Sequence, residues 1–304
     1  MTPSGESSDI SSRYHGIPLN FGGLSSEFSR FDKARVVVLP VPYDLTTSYI
    51  PGTRRGPLAI LEASTHMELY DEELRRETYK LGIHTLDSLE PSAASPEETI
   101  DRVEEAIELI LEAKKFPFML GGEHSLTLAP VRALQRKHKN FTVVQLDAHS
   151  DLRDSYQNTK FNHACVARRM HELGLQIVQI GIRAISPEEA KFIEQAERVT
   201  VLFDYTLNHD SSTIENILRQ LKGPVYVTLD LDVFEPGLMP AVGTPEPGGL
   251  NWYTTLQILK KIGEQHDVLG CDLVELCPIP GFVGPDFLSA KLVYKMMGYF
   301  LKNT

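Results

Sequence analysis

Short, continuously apolar runs alternate along the chain with longer stretches in which apolar residues recur every three or four positions. The runs are RVVVLPV (35–41), FPFML (116–120), FTVVQLD (141–147), QIVQIGI (176–182), VTVLF (199–203), PVYVTLDLD (224–232) and DVLGCDLVEL (267–276). Helical spacing predicts helices over 56–64, 95–115, 125–138, 163–174, 187–196, 211–222, 251–264 and 285–301. The clearest is SPEETIDRVEEAIELILEAKK (95–115), where Ser95 stands as N-cap before acids in the first turn. Pro57 suits the first turn of its helix. Strands apolar on both faces and spaced by helices predict an α/β fold, a parallel sheet covered on both sides. Residues 1–30 are rich in Ser and Gly without periodicity and are expected to form a flexible arm, one that a neighbouring copy could hold. The remainder, 31–304, shows no repeat or linker and is expected to be a single domain.

Composition narrows the function classes. The 304 residues carry a net charge of −11, which argues against a nucleic-acid or anionic-membrane surface and is compatible with a cationic ligand. Three cysteines with no CxxC pair suit a reduced cytosol. The N-terminus has no apolar core of a signal peptide, and no stretch approaches 18 apolar residues. The expectation is a cytoplasmic protein with no membrane partner and no nucleic-acid partner.

In open parallel sheets ligands bind where strands hand over to loops at their carboxyl ends. Four polar clusters fall there: LGGEHS (120–125), LDAHSD (146–151), TLDLD (228–232) and DLVELCP (272–278). In an extended segment, residues two apart point the same way. Asp147, His149 and, if the extension persists, Asp151 therefore share a face, as do Asp230 and Asp232. Each cluster alone has a plain explanation. A lone DxD or HxD is common, His124 can simply start a helix, Gly121 and Gly122 can make a tight turn, and Glu275 can be a satisfied buried acid. Convergence favours a cation site, because paired aspartates at the end of a buried strand repel unless a cation lies between them. Four carboxylates with His124 and His149 are too many acids for one zinc and suit two divalent ions of the Mn(II) kind. His163, in KFNHACVARRM, reads equally as a capping residue or as an acid/base group on the rim of the site.

These residues resemble a known family. GGEHS, DAHSD and TLDLDVFEPGLMPAVGTPEPGG (228–249) are similar to the three metal-binding signatures of the ureohydrolases, the arginase and agmatinase family. VPYDLTTSYIPGTRRGPLAILEAS (41–64) resembles their N-terminal segment, and the likeness covers roughly residues 30 to 300. The resemblance implies a three-layer αβα sandwich with a mostly parallel sheet of about eight strands, and a homo-oligomer, trimer or hexamer. It implies two Mn(II) ions held by His124, Asp147, His149, Asp151, Asp230 and Asp232, with Asp147 and Asp230 bridging. Such a pair, about 3.5–4 Å apart, lowers the pKa of a shared water so that hydroxide is available near neutral pH to attack a guanidinium carbon.

Further roles follow from the same likeness. Asp151 would hold the nucleophile, Glu275 would orient the guanidinium with Thr244 supporting it, and His163 would deliver a proton to the leaving amine. Arg153 and Asn162 would join the substrate-contacting set. The substrate implied is a small guanidino compound. Where arginases carry an Asp that reads the α-amine, this chain has Ala184, and where they carry an Asn after DxHxD it has Arg153. DLRDSY, HACVARRM and TPEPGG look more like agmatinases, so agmatine, giving putrescine and urea, is the first expectation. Arg153 either pairs with Asp154 or receives a carboxylate, which would favour guanidinobutyrate or guanidinopropionate. Formiminoglutamate, arginine and guanidine follow. A single-zinc amide hydrolase is disfavoured by the number of carboxylates, and a non-catalytic regulatory relative by the absence of any gap in the ligand set.

Overall fold

A computed structural model describes residues 16–207, 215, 218, 219 and 221–301. Eight strands lie in one sheet: β1 (Val36–Pro40), β2 (Ile83–Thr85), β3 (Phe116–Leu120), β4 (Thr142–Leu146), β5 (Gln176–Ile182), β6 (Val199–Phe203), β7 (Val225–Asp230) and β8 (Val268–Val274). The spatial order is β2-β1-β3-β8-β7-β4-β5-β6, and every pairing is parallel. The expected eight-stranded parallel sheet is therefore present.

The main helices are α1 (Gly56–Ser64), α2 (Pro96–Glu112), α3 (Leu128–Lys137), α4 (Val166–Glu172), α5 (Pro187–Gln195), α6 (Trp252–Gln265) and α7 (Gly284–Phe300). Alternation along the strands splits the core in two. Val36 and Val38 of β1 join one apolar cluster with Ile60, Leu259 and Val293, from α1, α6 and α7. Val37 and Leu39 join the other with Ile107, Leu134 and Met170, from α2, α3 and α4. A strand buried on both faces needs apolar residues at every position, which is why the runs read as continuous rather than alternating. No helix of the described residues is long and apolar enough to cross a membrane.

Caps follow the sequence where their chemistry is plain: Ser95 Oγ accepts from Glu98 N–H (3.2 Å), with Pro96 in the first turn of α2. Three differences from the sequence reading have physical causes. β2 is only three residues long at the sheet edge and leaves almost no periodicity to detect. The run expected to continue to 232 stops at Asp230, because Leu231–Val233 turns into a 3-10 helix whose Asp232 N–H donates to Asp230 Oδ1 (2.9 Å). Part of the expected flexible arm is docked: Phe21 and Leu24 are buried in the first core, and Phe21 N–H donates to Thr85 Oγ1 (3.0 Å). Two apolar residues among Gly and Ser were too few to register as a pattern. The helix expected over 211–222 lies mostly outside the described residues.

Candidate metal centre

Strand order decides which side chains meet. β3, β8, β7 and β4 are consecutive neighbours in the sheet, and their carboxyl ends lead into His124, Glu275, Asp230 and Asp147. The turn after β3 requires glycine at Gly122, where a Cβ would stand 1.8 Å from the carbonyl oxygen of Tyr43. That close approach brings His124 back over the sheet edge. Asp151 and Glu275 both have positive φ, 52° and 66°. Such backbone is costly for residues other than glycine and is kept where the surroundings over-determine it, often at functional sites. The extension expected through Asp151 is thus broken by a left-handed residue, which turns its carboxylate into the same cluster.

His124 Nδ1 faces three carboxylates: Asp147 Oδ2 at 3.0 Å, Asp151 Oδ2 at 3.2 Å and Asp230 Oδ2 at 3.2 Å. His149 Nδ1 lies 2.9 Å from Asp232 Oδ2 and 3.8 Å from Asp147 Oδ1. Two triads of donor atoms result, His124–Asp147–Asp151 and Asp147–His149–Asp232, which share Asp147. All six residues predicted as ligands therefore converge. Ala148 and Ser150, which alternate with these residues, serve the scaffold: Ala148 N–H donates to Asp232 Oδ1 (3.0 Å) and Ser150 Oγ to Glu189 Oε1 (2.8 Å).

The cluster is built for a cation. His124 Nε2 is 2.9 Å from Thr228 Oγ1, whose hydroxyl donates to Asp272 Oδ1 (2.6 Å). With Nε2 carrying the proton, Nδ1 presents a lone pair to the carboxylates, and it has no hydrogen-bond partner although fully buried. Burial opposes a charged imidazolium at His124, yet Asp147, Asp151 and Asp230 outweigh it and push its pKa well up. His149 behaves likewise: burial is overcome by Asp232, and the value rises to about 11. Burial and the neighbouring Asp147 push Asp151 the other way for an acid, up to about 7. Surroundings that favour protons on both imidazoles and on Asp147, Asp151 and Asp230 are surroundings that divalent cations would neutralise. The donor set of imidazole nitrogen and carboxylate oxygen fits divalent metals.

A cavity of about 280 Å³ opens over the cluster, lined among others by Glu275, Thr244, His163, Arg153, Glu246 and Ala184. Glu275 Oε1 accepts from His124 N–H (2.7 Å), and burial, reinforced by Glu123, raises its pKa well above the ordinary range. Thr244 lines the same cavity; the recorded bond to the carboxylate is that of His124. His163 sits on the rim with Nε2 3.4 Å from Ser48 Oγ and its ring edge-on to Tyr156. Burial, then the charge on His149 and His124, lowers its pKa to about 4, so at neutral pH the ring is uncharged.

Two sequence expectations are corrected here. Asn162 does not line the cavity. It is buried beneath the rim, its Oδ1 accepting from Ala164 N–H (3.0 Å) as the cap of the turn that carries His163. Arg153 does not pair with Asp154, which Arg169 takes at 3.0 Å. Its guanidinium instead lies over the Tyr156 ring (4.9 Å) and 3.9 Å from Glu189 Oε2.

The sequence reading missed four supporting residues. Glu123 is fully buried and accepts from Thr46 N–H (2.6 Å) and Thr46 Oγ1 (2.5 Å), while Thr46 Oγ1 accepts from His163 N–H (3.1 Å). Glu189 accepts from Leu152 N–H (2.9 Å) and Ser186 N–H (2.7 Å), holding the loop after His149 to α5. Arg183 donates to the carbonyls of Asp232 (2.6 Å), Phe234 (3.2 Å) and Glu246 (3.0 Å) and binds two metal-loop segments together. Glu123 stood in plain view in GGEHS, and Glu189 is three residues after Ser186 in capping-box spacing; nothing in the sequence marked Thr46 or Arg183.

Comparison with known proteins agrees with this architecture. The chain is 43% identical over 283 residues to the N(1)-aminopropylagmatine ureohydrolase of Synechocystis sp., covering 91% of this chain and 92% of that protein. It is 35% identical to the agmatinase of Pyrococcus horikoshii, covering 87% and 92%. The crystal structure of agmatine ureohydrolase of Thermoplasma volcanium superposes with a TM-score of 0.85 at 32% identity, covering 97% of each chain. Residues 34–298 match the sequence profile of the arginase family. With that match and those identities, the chain belongs to the arginase family.

Proposed function

We propose that the protein hydrolyses the guanidino group of agmatine or of its N1-aminopropyl derivative, releasing urea and the corresponding amine. The observation that carries this is the buried six-residue His/Asp cluster with Glu275 on the wall of the same cavity. His124, Asp147, Asp151 and Asp230 would hold one Mn(II) ion, and Asp147, His149, Asp232 and Asp230 a second, with Asp147 and Asp230 shared. When bound, the two ions supply Lewis acidity, making a water nucleophilic near neutral pH and offsetting charge that develops at the guanidino carbon.

The protein's own groups do the rest. Glu275, fixed through His124 N–H, offers a planar carboxylate that pairs with two N–H groups of a guanidinium and orients its carbon. Asp151, buried beside His124, accepts a hydrogen bond from the attacking oxygen. His163 is neutral at pH 7 and passes a proton to the departing nitrogen by accepting one and giving it up, rather than by standing ready as imidazolium. Ser48 and Thr46 hold that ring on the rim.

Substrate choice rests on charge. Arg153 is the only Lys or Arg on the cavity wall among the described residues, and Glu189 offsets it. No other Lys or Arg among the described residues lines the wall to hold a carboxylate, which suits a guanidinoalkyl amine without an α-carboxylate, and relatives named for agmatine and for N1-aminopropylagmatine both resemble the chain. The proposed setting is cytoplasmic, as a homo-oligomer. Urea release with added Mn(II) from a panel of agmatine, N1-aminopropylagmatine, arginine and guanidinobutyrate is the test. The first two should lead; no urea from any of the four overturns the reading.

A further inference from the structure

Glu246 stands out on the cavity wall. Its Oε1 lies 3.8 Å from His149 Nε2, beyond normal hydrogen-bond reach, and among the described residues no Lys or Arg pairs with it. Its side chain is 39% exposed toward the opening. The loop beneath is fixed, because Arg183 donates to the carbonyls of Glu246 and Pro247 and Asp204 Oδ2 accepts from Gly249 N–H (3.2 Å). The other rim carboxylate, Glu189, is already occupied by Ser150, Leu152, Ser186 and Arg153. The wall therefore presents one carboxylate on a fixed loop, with no Lys or Arg of its own among the described residues and the His149 imidazole 3.8 Å away.

Its place along the loop matters. Gly243 lies against Glu275, a Cβ there standing 3.9 Å from Oε2, and Glu246 follows three residues later. Three residues span at most about 10 Å, the scale of a four-carbon alkyl chain with its end groups. We infer that Glu246 receives the alkylammonium at the far end of a substrate whose guanidinium is held at Glu275, and so selects cationic over neutral or acidic guanidines. This assignment rests on the function proposed above. It makes Glu246 a specificity-determining residue and leaves Arg153, neutralised by Glu189, as a lesser contributor.

The experiment compares wild-type protein and Glu246→Gln, both loaded with Mn(II). The kcat/KM ratio of agmatine to butylguanidine, which has the same chain without the amine, should fall roughly tenfold in the variant, the size of a lost charged hydrogen bond. Bound Mn should stay equal. Calorimetric titration with 1,4-diaminobutane, which needs no turnover, should show binding weakened by a similar factor. The inference is overturned if both guanidines lose equally, if Mn content drops with the variant (Glu246 then supports His149), or if the diamine binds both proteins alike or neither. Should wild type release no urea from either guanidine, the proposed activity fails, and the diamine titration still decides the role of Glu246.

Discussion

Thr228 Oγ1 stands 2.9 Å from Nε2 of His124 and donates its own hydrogen bond to Asp272 Oδ1, 2.6 Å away. This relay fixes which nitrogen of His124 is free to bind metal. Thr228→Val keeps the shape and removes the acceptor. Partners of this kind are typically worth about 10–100-fold in metal affinity, so the dissociation constant for Mn(II), read by competition with a chelating dye, should rise by that factor. An unchanged constant would mean that the tautomer is set by something else.

Asp230→Asn removes a charge from the group facing His124 Nδ1. Metal content by atomic absorption and urea release should fall together. Retention of both would contradict a centre in which Asp230 binds metal.

His163→Ala is expected to keep its metals and to slow turnover, since the ring contacts Ser48 and Tyr156 on the cavity wall. The pH dependence follows from the depressed pKa of about 4. Unfolded, His163 takes up a proton near 6.5; folded, it does so only near 4. Between those values the unfolded chain binds the extra proton, so His163 contributes stability above about pH 6.5 that is lost as pH falls toward 4. For catalysis, no fall in rate attributable to His163 is expected between pH 7 and 5. An acid limb near 6.5 that disappears in His163→Ala would refute the neutral-ring assignment.

Removal of metal should loosen the fold at its centre. Asp147, Asp151, Asp230 and Asp232 are all buried within one cluster, and without a metal their repulsion is eased only by protons taken up within it. Chelation should lower Tm, and added Mn(II) restore it, with about 2.7 kcal/mol of stabilisation per site at a hundredfold excess over Kd. A Tm indifferent to metal would argue against a tight site.

Away from the cavity, Lys295 is buried against Asp71 (2.9 Å), joining α7 to the loop that precedes β2. Lys295→Met leaves Asp71 as an unpaired buried charge and should cost about 3–5 kcal/mol in denaturant melts. Adding Asp71→Asn should recover much of that loss; an equal or greater loss in the double variant would show that the pair is not the source.

The sequence disclosed what depends on local repetition. Strands such as Val225–Asp230 are buried throughout and apolar at all but Thr228 and Asp230, and the candidate ligands lie at or just beyond their ends. The six predicted ligands meet because strand order, which no single segment encodes, sets the ends of β3, β8, β7 and β4 side by side. What stayed hidden was long-range or short. Thr46 reaches Glu123 across 77 residues of chain, Arg183 reaches Glu246 across 63, and β2 is three residues long. Asn162 misled because a polar residue beside a rim histidine looks like a substrate contact, while the backbone turn below had first claim on its side chain.

β8 is the last strand synthesised, yet it lies in the middle of the sheet, between β3 and β7. Until it inserts, the growing chain holds two separate half-sheets, β2-β1-β3 and β7-β4-β5-β6, each with a long apolar edge open to wrong pairing. His124 belongs to the first half and the four aspartates with His149 to the second. A chain that stops short of residue 268 thus has the Asp147–His149–Asp232 triad in one half-sheet but lacks His124 beside it, so the six-residue cluster is completed only when β8 is in place.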